Sequence, residues 1–281
     1  MGETLRAVAS PESPTAVGVC SIALDRLAVP DALDTIAALG ADVLELSARA
    51  HRPGDPEAAA AVGSHAHRLG LRLACYGSYL NLLDGLERSR LPAPPGLPEV
   101  ELDIAKALGA HLVRVWAGGT PSATAGSAQR RAVRDGLRHL ADAAGERALG
   151  LVVERHAGTL ADDAAACERL LVEVDRPAQV ALNYQLVLPK GLPPAEAAAR
   201  ARADAARLGP LARHCHVYDL AADGRWRPLG QGEADAAGML TALHAAGYRG
   251  ALCVEFAFGG GDPVAALRRD IAWLRTHAPH G

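Results

Sequence analysis

The chain has 281 residues, of which 49% are hydrophobic, and this length and composition suit one large α/β domain with a sizeable core. Its formal net charge of −3 argues against a nucleic-acid partner, which would require a basic face. No apolar run reaches the roughly 18 residues of a membrane span, and residues 1–16 lack the apolar stretch of a secretory signal. We therefore expect no membrane partner and a cytoplasmic location.

Two residue types narrow the chemistry further. Only two lysines occur, which leaves almost no candidate for a Schiff-base nucleophile. The five cysteines show no metal-finger spacing, and we interpret them as free buried thiols in a reducing compartment. They are Cys20, Cys75, Cys167, Cys215 and Cys253.

Strand-like and helix-like runs alternate along the chain. Residues 1–15 are polar and are predicted to form a flexible N-terminal tail. The predicted strands cover 16–21, 42–47, 71–76, 111–116, 150–154, 179–184, 212–217 and 250–255. The predicted helices cover about 31–39, 56–69, 98–108, 127–147, 160–174, 194–207, 234–246 and 263–277. Strands that alternate with helices of this length imply parallel strands joined by helical crossovers.

Eight such units predict a single-domain α/β fold, the (β/α)₈ TIM barrel, over residues 16–281. Helix-end signals agree, with Gly40 placed to end the first helix and Asp262-Pro263 placed to begin the last. The alternative is an open doubly wound sheet, which would carry a glycine-rich nucleotide loop after its first strand. Residues 21–24 are Ser-Ile-Ala-Leu instead, so the barrel is preferred.

Long loops are predicted at the end of the barrel where binding residues gather, at 91–100, 118–129 and 218–232. The glycine-rich segment 258–263 after the last strand could hold a phosphate through its backbone N–H groups. A flexible turn is the preferred interpretation of this segment, because no basic residue stands beside the glycines.

Four polar residues, each at the end of a predicted strand, form the most informative pattern. Glu154, Gln185, His216 and Glu255 follow the apolar runs of strands five to eight. The carboxyl ends of parallel barrel strands crowd around one mouth, and side-chain alternation lets Glu154, Gln185 and His216 face the axis there. Two carboxylates, an imidazole nitrogen and an amide oxygen predict a divalent metal site. The glutamates could also move a proton to and from a hydroxy-carbonyl substrate.

Four neighbouring residues are candidate substrate contacts. A histidine two positions after Glu154 could hydrogen-bond a hydroxyl, two aromatics at strand ends could form a pocket wall, and an arginine could bind a carboxylate, phosphate or hydroxyl. These residues are His156, Trp116, Tyr76 and Arg227. Glu45 on the second strand either faces the pocket or pairs with Arg49, and Asp219 is expected to brace the loop after the seventh strand.

Six motifs lie at the strand ends and in the loop after the seventh strand: ADVLELSAR, VRVWAG, VVERH, HCHVYDL, PLGQGEAD and LCVEF. In order and context they resemble the xylose isomerase-like barrels of the sugar isomerase/epimerase superfamily, over about residues 16–277. The resemblance implies a metal-dependent enzyme of carbohydrate metabolism that uses manganese, magnesium, cobalt or zinc. It also implies that the metal ligands are Glu154, Gln185, His216 and Glu255 and that the two glutamates form the acid/base pair.

The sixth strand departs from the pattern of this superfamily. Its motif usually carries an aspartate and, three residues later, often a histidine, where this chain has Gln185 and Leu188. A glutamine ligand removes one negative charge and so lowers the affinity for a divalent cation. Three outcomes stay open: a weaker metal site, a metal-free site that uses the glutamates alone, and a barrel that has lost the chemistry.

The preferred function is an isomerase or epimerase of a small sugar or hydroxy-carbonyl compound, with a dehydratase (a lyase) as a close variant. A non-catalytic binding barrel is the second hypothesis, motivated by Gln185 and Leu188. A DNA-repair endonuclease of the same superfamily is disfavoured, because Tyr76, Trp116 and Leu188 stand where more ligands would be expected by resemblance. The expected partner is a small-molecule substrate, and pairing into a homo-oligomer is left open.

Overall fold

The computed structural model describes residues 15–82, 98–221, 223–257 and 261–279. Three sequence-based predictions lie wholly or largely outside these ranges. They are the N-terminal tail 1–15, most of the loop 91–100 and the glycine run within 258–263.

Ten strands are found in the described ranges, and eight of them form a closed parallel barrel. The strands are β1 Val17–Cys20, β2 Val43–Ser47, β3 Arg72–Asn81, β4 Leu112–Trp116, β5 Gly150–Glu154, β6 Val180–Tyr184, β7 Ala212–Val217, β8 Asp219–Leu220, β9 Trp226–Arg227 and β10 Ala251–Val254. Around the barrel the order is β1-β10-β7-β6-β5-β4-β3-β2, with β8 and β9 paired separately as a small antiparallel hairpin. The predicted (β/α)₈ TIM barrel is confirmed.

Nine α-helices occur in the same ranges and alternate with the barrel strands. They are α1 Val29–Ala38, α2 Ala48–His51, α3 Pro56–Arg68, α4 Pro98–Leu108, α5 Ser127–Gly145, α6 Ala164–Val174, α7 Pro194–Leu208, α8 Ala236–Ala245 and α9 Pro263–His277. The short α2 and the β8–β9 hairpin were not predicted. Because both lie in connections after barrel strands, they add to the mouth without changing the barrel.

The helix ends carry the signals predicted from the sequence. Gly40 follows α1 with φ of 78°, a left-handed conformation that glycine adopts at little cost. Asp262 begins α9 by accepting hydrogen bonds from the backbone N–H groups of Val264 and Ala265. All five cysteines are free and buried, as predicted. No helix within the described residues combines the length and the apolarity that crossing a bilayer requires.

The barrel interior is layered, because side chains alternate across each strand. A small apolar cluster lies at one level, made of Cys75, Val152 and Ala181 with Leu112 packed against it. Two residues further along β4, β5 and β6 stand Arg114, Glu154 and Asn183, all of them buried. The alternation therefore places charged and polar groups directly above an apolar floor.

Candidate active site

Four side chains from the ends of adjacent strands meet at the mouth of the barrel. Glu154 ends β5, His216 lies near the end of β7, and Gln185 and Glu255 directly follow β6 and β10. The ligand atoms of Glu154, His216 and Glu255 lie within 4.8 Å of one another. His216 Nδ1 lies 3.3 Å from Gln185 Oε1 and 3.5 Å from Glu255 Oε1. The structure thus brings together the four residues predicted at strand ends.

Glu45 lies on the opposite side of the His216 ring. Its Oε2 accepts hydrogen bonds from Nε2 of His214 at 2.7 Å and from Nε2 of His216 at 2.6 Å. Its Oε1 accepts from Nε of Arg114 at 3.0 Å. Of the two alternatives left open by the sequence, Glu45 therefore faces the interior, and its arginine partner is Arg114 rather than Arg49.

Arg114 joins the two acidic parts of the site. Its guanidinium pairs with Glu45 through Nε and with Glu154 through Nη1, and its side chain is 1% exposed. It also lies over the ring of Tyr79, 4.5 Å from the ring centroid. A Cβ atom at Gly77 would come within 2.7 Å of both Arg114 Nη2 and Glu45 Oε1, so only glycine leaves room for this pair.

Asn183 is a further buried member of the cluster. It lies two residues before Gln185 on the same inward-facing side, with Nδ2 at 3.2 and 3.3 Å from the two ring nitrogens of His216. The sequence analysis missed Arg114 and Asn183 as site residues, whereas it had given a pocket-facing Glu45 as one of two alternatives. The signal that could have found Arg114 is an arginine inside the apolar strand LVRVW, where burial demands a charged partner.

Burial and neighbouring charges together shift the pKa values of three members of the cluster. Burial acts to lower the pKa of the His216 imidazole, but the carboxylates of Glu45 and Glu255 outweigh it and raise the pKa to about 9. Burial raises the pKa of the Glu255 carboxyl to about 7, although His216 acts in the opposite direction. Burial also acts to raise the pKa of Glu45, but His216 and Arg114 hold it well below its usual range. The pKa of Glu255 therefore lies near neutral pH.

Aromatic rings lie beside the acidic cluster on the β3–β5 side. The ring of His156 stacks on Trp116 with centroids 4.5 Å apart, and Tyr79 lies 6.2 Å from Trp116 on a tilted plane. Trp116 and His156 are only half-buried. Both residues were predicted as substrate contacts, and their position beside Glu154 keeps that prediction in place.

The structure places Tyr76 elsewhere. Its hydroxyl donates to Glu101 Oε2 of α4 at 2.6 Å, so the side chain points out of the barrel toward the helix layer. The prediction that Tyr76 lines the pocket is therefore wrong, and Tyr79 is the β3 tyrosine that reaches Arg114 and Trp116. The reason is strand parity, since Gly77 faces the interior and its neighbour Tyr76 must face outward.

Arg227 lies in the β8–β9 hairpin, where its backbone pairs with Asp219. Asp219 accepts hydrogen bonds from the backbone N–H groups of Leu220, Gly230 and Gly232, which confirms that it braces this loop. In the same hairpin the ring of Trp226 stacks on Tyr218. The structure thus fixes the loop that carries Arg227, and a substrate contact by its guanidinium stays a prediction.

A family model described as xylose isomerase-like TIM barrel matches residues 33–277. The chain belongs to this family. A comparison with curated protein sequences found no match to the chain.

Solved structures share the fold of this xylose isomerase-like barrel at low sequence identity. The probable 3-DHS dehydratase AsbF of Bacillus anthracis is 17% identical with a TM-score of 0.74, over 92% of this chain and 98% of that chain. The 3-keto-D-glucoside 4-epimerase YcjR of E. coli is 22% identical with a TM-score of 0.70, over 93% and 99%. A D-allulose 3-epimerase of Methylomonas sp. is 17% identical with a TM-score of 0.71, over 95% and 99%. These likenesses establish the fold, and the chemistry has to be argued from the residues.

The strand-end residues of this xylose isomerase-like barrel fit a divalent cation. Glu154, Gln185, His216 and Glu255 would hold it with oxygen and nitrogen donors, which are the ligands that such ions take in proteins. The donors converge on one point, because Gln185 Oε1 and Glu255 Oε1 both lie within 3.5 Å of His216 Nδ1. Glu45 holds the other ring nitrogen, as carboxylates commonly do behind metal-bound histidines.

Two deeper groups in the barrel fit an ion less well. Cys20 with Glu45 and His216, and Cys75 with Glu45 and His214, also bring three donor atoms within 4.8 Å. Both groups depend on Glu45, whose two oxygens already accept three hydrogen bonds. Burial raises the pKa of both thiols well above its usual range, so neither is readily the thiolate that binds a metal. The strand-end group is therefore the better candidate.

Proposed function

We propose that this protein is a metal-assisted isomerase or epimerase that acts on a small sugar or hydroxy-carbonyl compound. The observation that carries the proposal is the convergence of Glu154, Gln185, His216 and Glu255 at one end of the barrel. The fold shared with two epimerases supports it. A divalent cation held by these residues would polarise the substrate carbonyl and make the adjacent C–H more acidic.

The two glutamates divide the proton transfer between them. Glu154 ends β5 and Glu255 follows β10, and β6 and β7 lie between these two strands, so the glutamates would approach a bound substrate from different sides. Both are carboxylates at the mouth of the barrel, and each would act there as a general acid or base. Arg114 pairs with Glu154 and fixes the direction of its carboxylate.

The half-buried residues around the cluster would bind the rest of the substrate. Trp116 and His156 present a stacked pair of rings beside Glu154, and such surfaces suit the apolar face of a sugar ring. His156 and Arg227 would hydrogen-bond hydroxyl or anionic groups of the substrate. In this proposal Tyr79, and not Tyr76 as the sequence suggested, is the β3 tyrosine that forms part of the pocket wall.

A dehydratase is a second candidate, because the same proton abstraction can expel a β-hydroxyl instead of returning the proton. The shared fold of the dehydratase AsbF, whose TM-score is 0.74, favours keeping this alternative. A binding barrel without catalysis is the third candidate and rests on Gln185 and Leu188.

Solvent isotope exchange tests the proton transfer. The purified protein would be incubated with a panel of ketoses and hydroxy-ketones in D₂O with added Mn²⁺, and products read by mass spectrometry and NMR. We expect deuterium at the α-carbon of the substrate. An isomerase or epimerase should also give an aldose–ketose isomer or an epimer, whereas a dehydratase should give a product that has lost one water. Absence of exchange over the whole panel, with metal bound, would favour the binding barrel.

Metal content tests the other half of the proposal. Mass spectrometry of the purified protein should find about one equivalent of a divalent metal, and His216→Ala should lose it. Gln185→Asp should bind the ion more tightly, since the carboxylate restores a negative charge. A natural protein without metal that gains one through Gln185→Asp would instead favour a metal-free site.

A further inference from the structure

One carboxylate in the barrel serves two imidazoles at the same time. Oε2 of Glu45 lies 2.7 Å from Nε2 of His214 and 2.6 Å from Nε2 of His216. Glu45 and both histidines are fully buried, so no solvent competes for these hydrogen bonds. The second oxygen, Oε1, is held by Nε of Arg114 at 3.0 Å, which fixes the carboxylate itself.

We propose that Glu45 is a positioning residue for His216. It holds the His216 ring with a proton on Nε2 and with Nδ1 turned toward Gln185 and Glu255. A carboxylate oxygen only accepts hydrogen bonds, so each nitrogen that bonds to it must carry a proton. In a neutral His216 ring the other nitrogen, Nδ1, is then the one with a free lone pair. Nδ1 is also the atom that faces Gln185 Oε1 and Glu255 Oε1.

The neighbours of Glu45 restrict its carboxylate to one position. Arg114 holds it from the β4 side, and Gly77 leaves no gap into which it could turn, because even a Cβ there would lie 2.7 Å from Oε1. A glutamine at position 45 has one acceptor oxygen and one NH₂ group, so it cannot accept from Arg114 and both histidines. The inference rests on the proposed function only in taking His216 as a ligand.

The direct test is the ring state of His216 in the full chain. Long-range ¹H–¹⁵N spectra of ¹⁵N-histidine-labelled protein, recorded without added metal at a pH where the His216 ring is neutral, show which nitrogen carries the proton, and His216→Asn assigns the signal. We expect a proton on Nε2 of His216 in the wild type and a change in its ring-nitrogen shifts in Glu45→Gln. A wild-type His216 that carries its proton on Nδ1 alone would overturn the proposal, whatever the variant does.

Glu101→Gln is the matched control, because Glu101 is equally buried but lies outside the barrel, where it binds Tyr76 and Arg52. It carries the same loss of a buried charge without touching His216. We expect its His216 signals to match the wild type. Identical His216 shifts in Glu45→Gln and Glu101→Gln would also overturn the proposal.

Mn²⁺ affinity, measured by calorimetry, is the second readout. We expect Glu45→Gln to bind Mn²⁺ about 10–100-fold more weakly than wild type, as changes behind metal-bound histidines do, and Glu101→Gln to bind normally. Equal affinities in all three proteins contradict the positioning role. If the wild type binds no Mn²⁺ and exchanges no deuterium, the proposed function fails, and the ring state of His216 still decides the role of Glu45.

Discussion

Glu154 and Arg155 are neighbours in the chain and face opposite sides of the barrel wall. Glu154 points inward to Arg114 and the strand-end cluster, where every partner is another charged or polar side chain of the candidate site. Arg155 points outward and pairs with Asp204 of α7. Its guanidinium also donates to the backbone carbonyls of Gln185 and Val187 at 3.4 and 3.3 Å.

The difference shows how one sequence motif supplies both chemistry and support. Inside the barrel, buried charges converge on a point where a ligand can be bound. Outside, buried charges join a strand, a loop and a helix, and they hold the backbone that carries Gln185. We therefore expect changes inside to reduce activity more than stability, and changes outside to do the reverse.

The largest effect on activity is expected for changes inside the barrel. Glu154→Gln and Glu255→Gln each remove a group that moves the substrate proton, so deuterium exchange should slow by about 10²–10⁴-fold in either variant. Glu101→Gln is the control on the outer side and should keep most of the exchange rate. Exchange that survives both inner changes would assign the proton transfer to other residues.

The matching change on the outer side of the barrel wall is Arg155→Met. It leaves Asp204 buried with only the half-exposed Arg200, whose Nε lies 3.0 Å away, so we expect a loss of about 3 kcal/mol in the free energy of unfolding measured with urea. Mn²⁺ binding of the folded fraction should stay near normal.

The double variant Arg155→Met/Asp204→Leu sharpens this test. Removing both charges eliminates the uncompensated carboxylate, so part of the lost stability should return. A double variant that is no more stable than Arg155→Met would show that packing, rather than charge pairing, accounts for the loss.

A smaller effect is expected at Gly77. Gly77→Ala would place a Cβ 2.7 Å from Arg114 Nη2 and Glu45 Oε1, so we expect a loss of about 1–3 kcal/mol in unfolding free energy together with slower exchange. Gly136→Ala is the control, because its nearest neighbour atom would lie 3.6 Å away and α5 favours alanine. It should be neutral or slightly stabilising, with normal exchange.

The smallest effect concerns pH and a histidine outside the cluster. His51 is buried against Ser21 Oγ and the carbonyl of Leu27, and burial lowers its pKa. Its neutral form is favoured by folding, so its stabilising contribution is present above the unfolded pKa of about 6.5 and is lost as the pH falls through the lower folded pKa. Between neutral and mildly acidic pH, His51→Gln should therefore lose less unfolding free energy than wild type. Equal losses would assign the acid sensitivity to other groups.

Local patterns were sufficient for the fold and for four members of the site. The alternation of strand-like and helical runs predicted the barrel, and the strand ends predicted Glu154, Gln185, His216 and Glu255. The position of Tyr76 was predicted wrongly, because β3 continues to Asn81, so Tyr76 lies within the strand on its outward-facing side and not at its end. A single residue of difference reverses the face to which a side chain points.

By itself, the sequence determined the barrel and the polar residues at its mouth, since hydrophobic periodicity and strand ends are properties of neighbouring residues. Only the tertiary structure decided which of these residues share a charge network. Glu45 reaches Arg114 across 69 positions of the chain and His216 across 171. Closing the barrel brings these distant strands together, and in its dry interior each buried charge is stable only beside the partner that the closed barrel supplies.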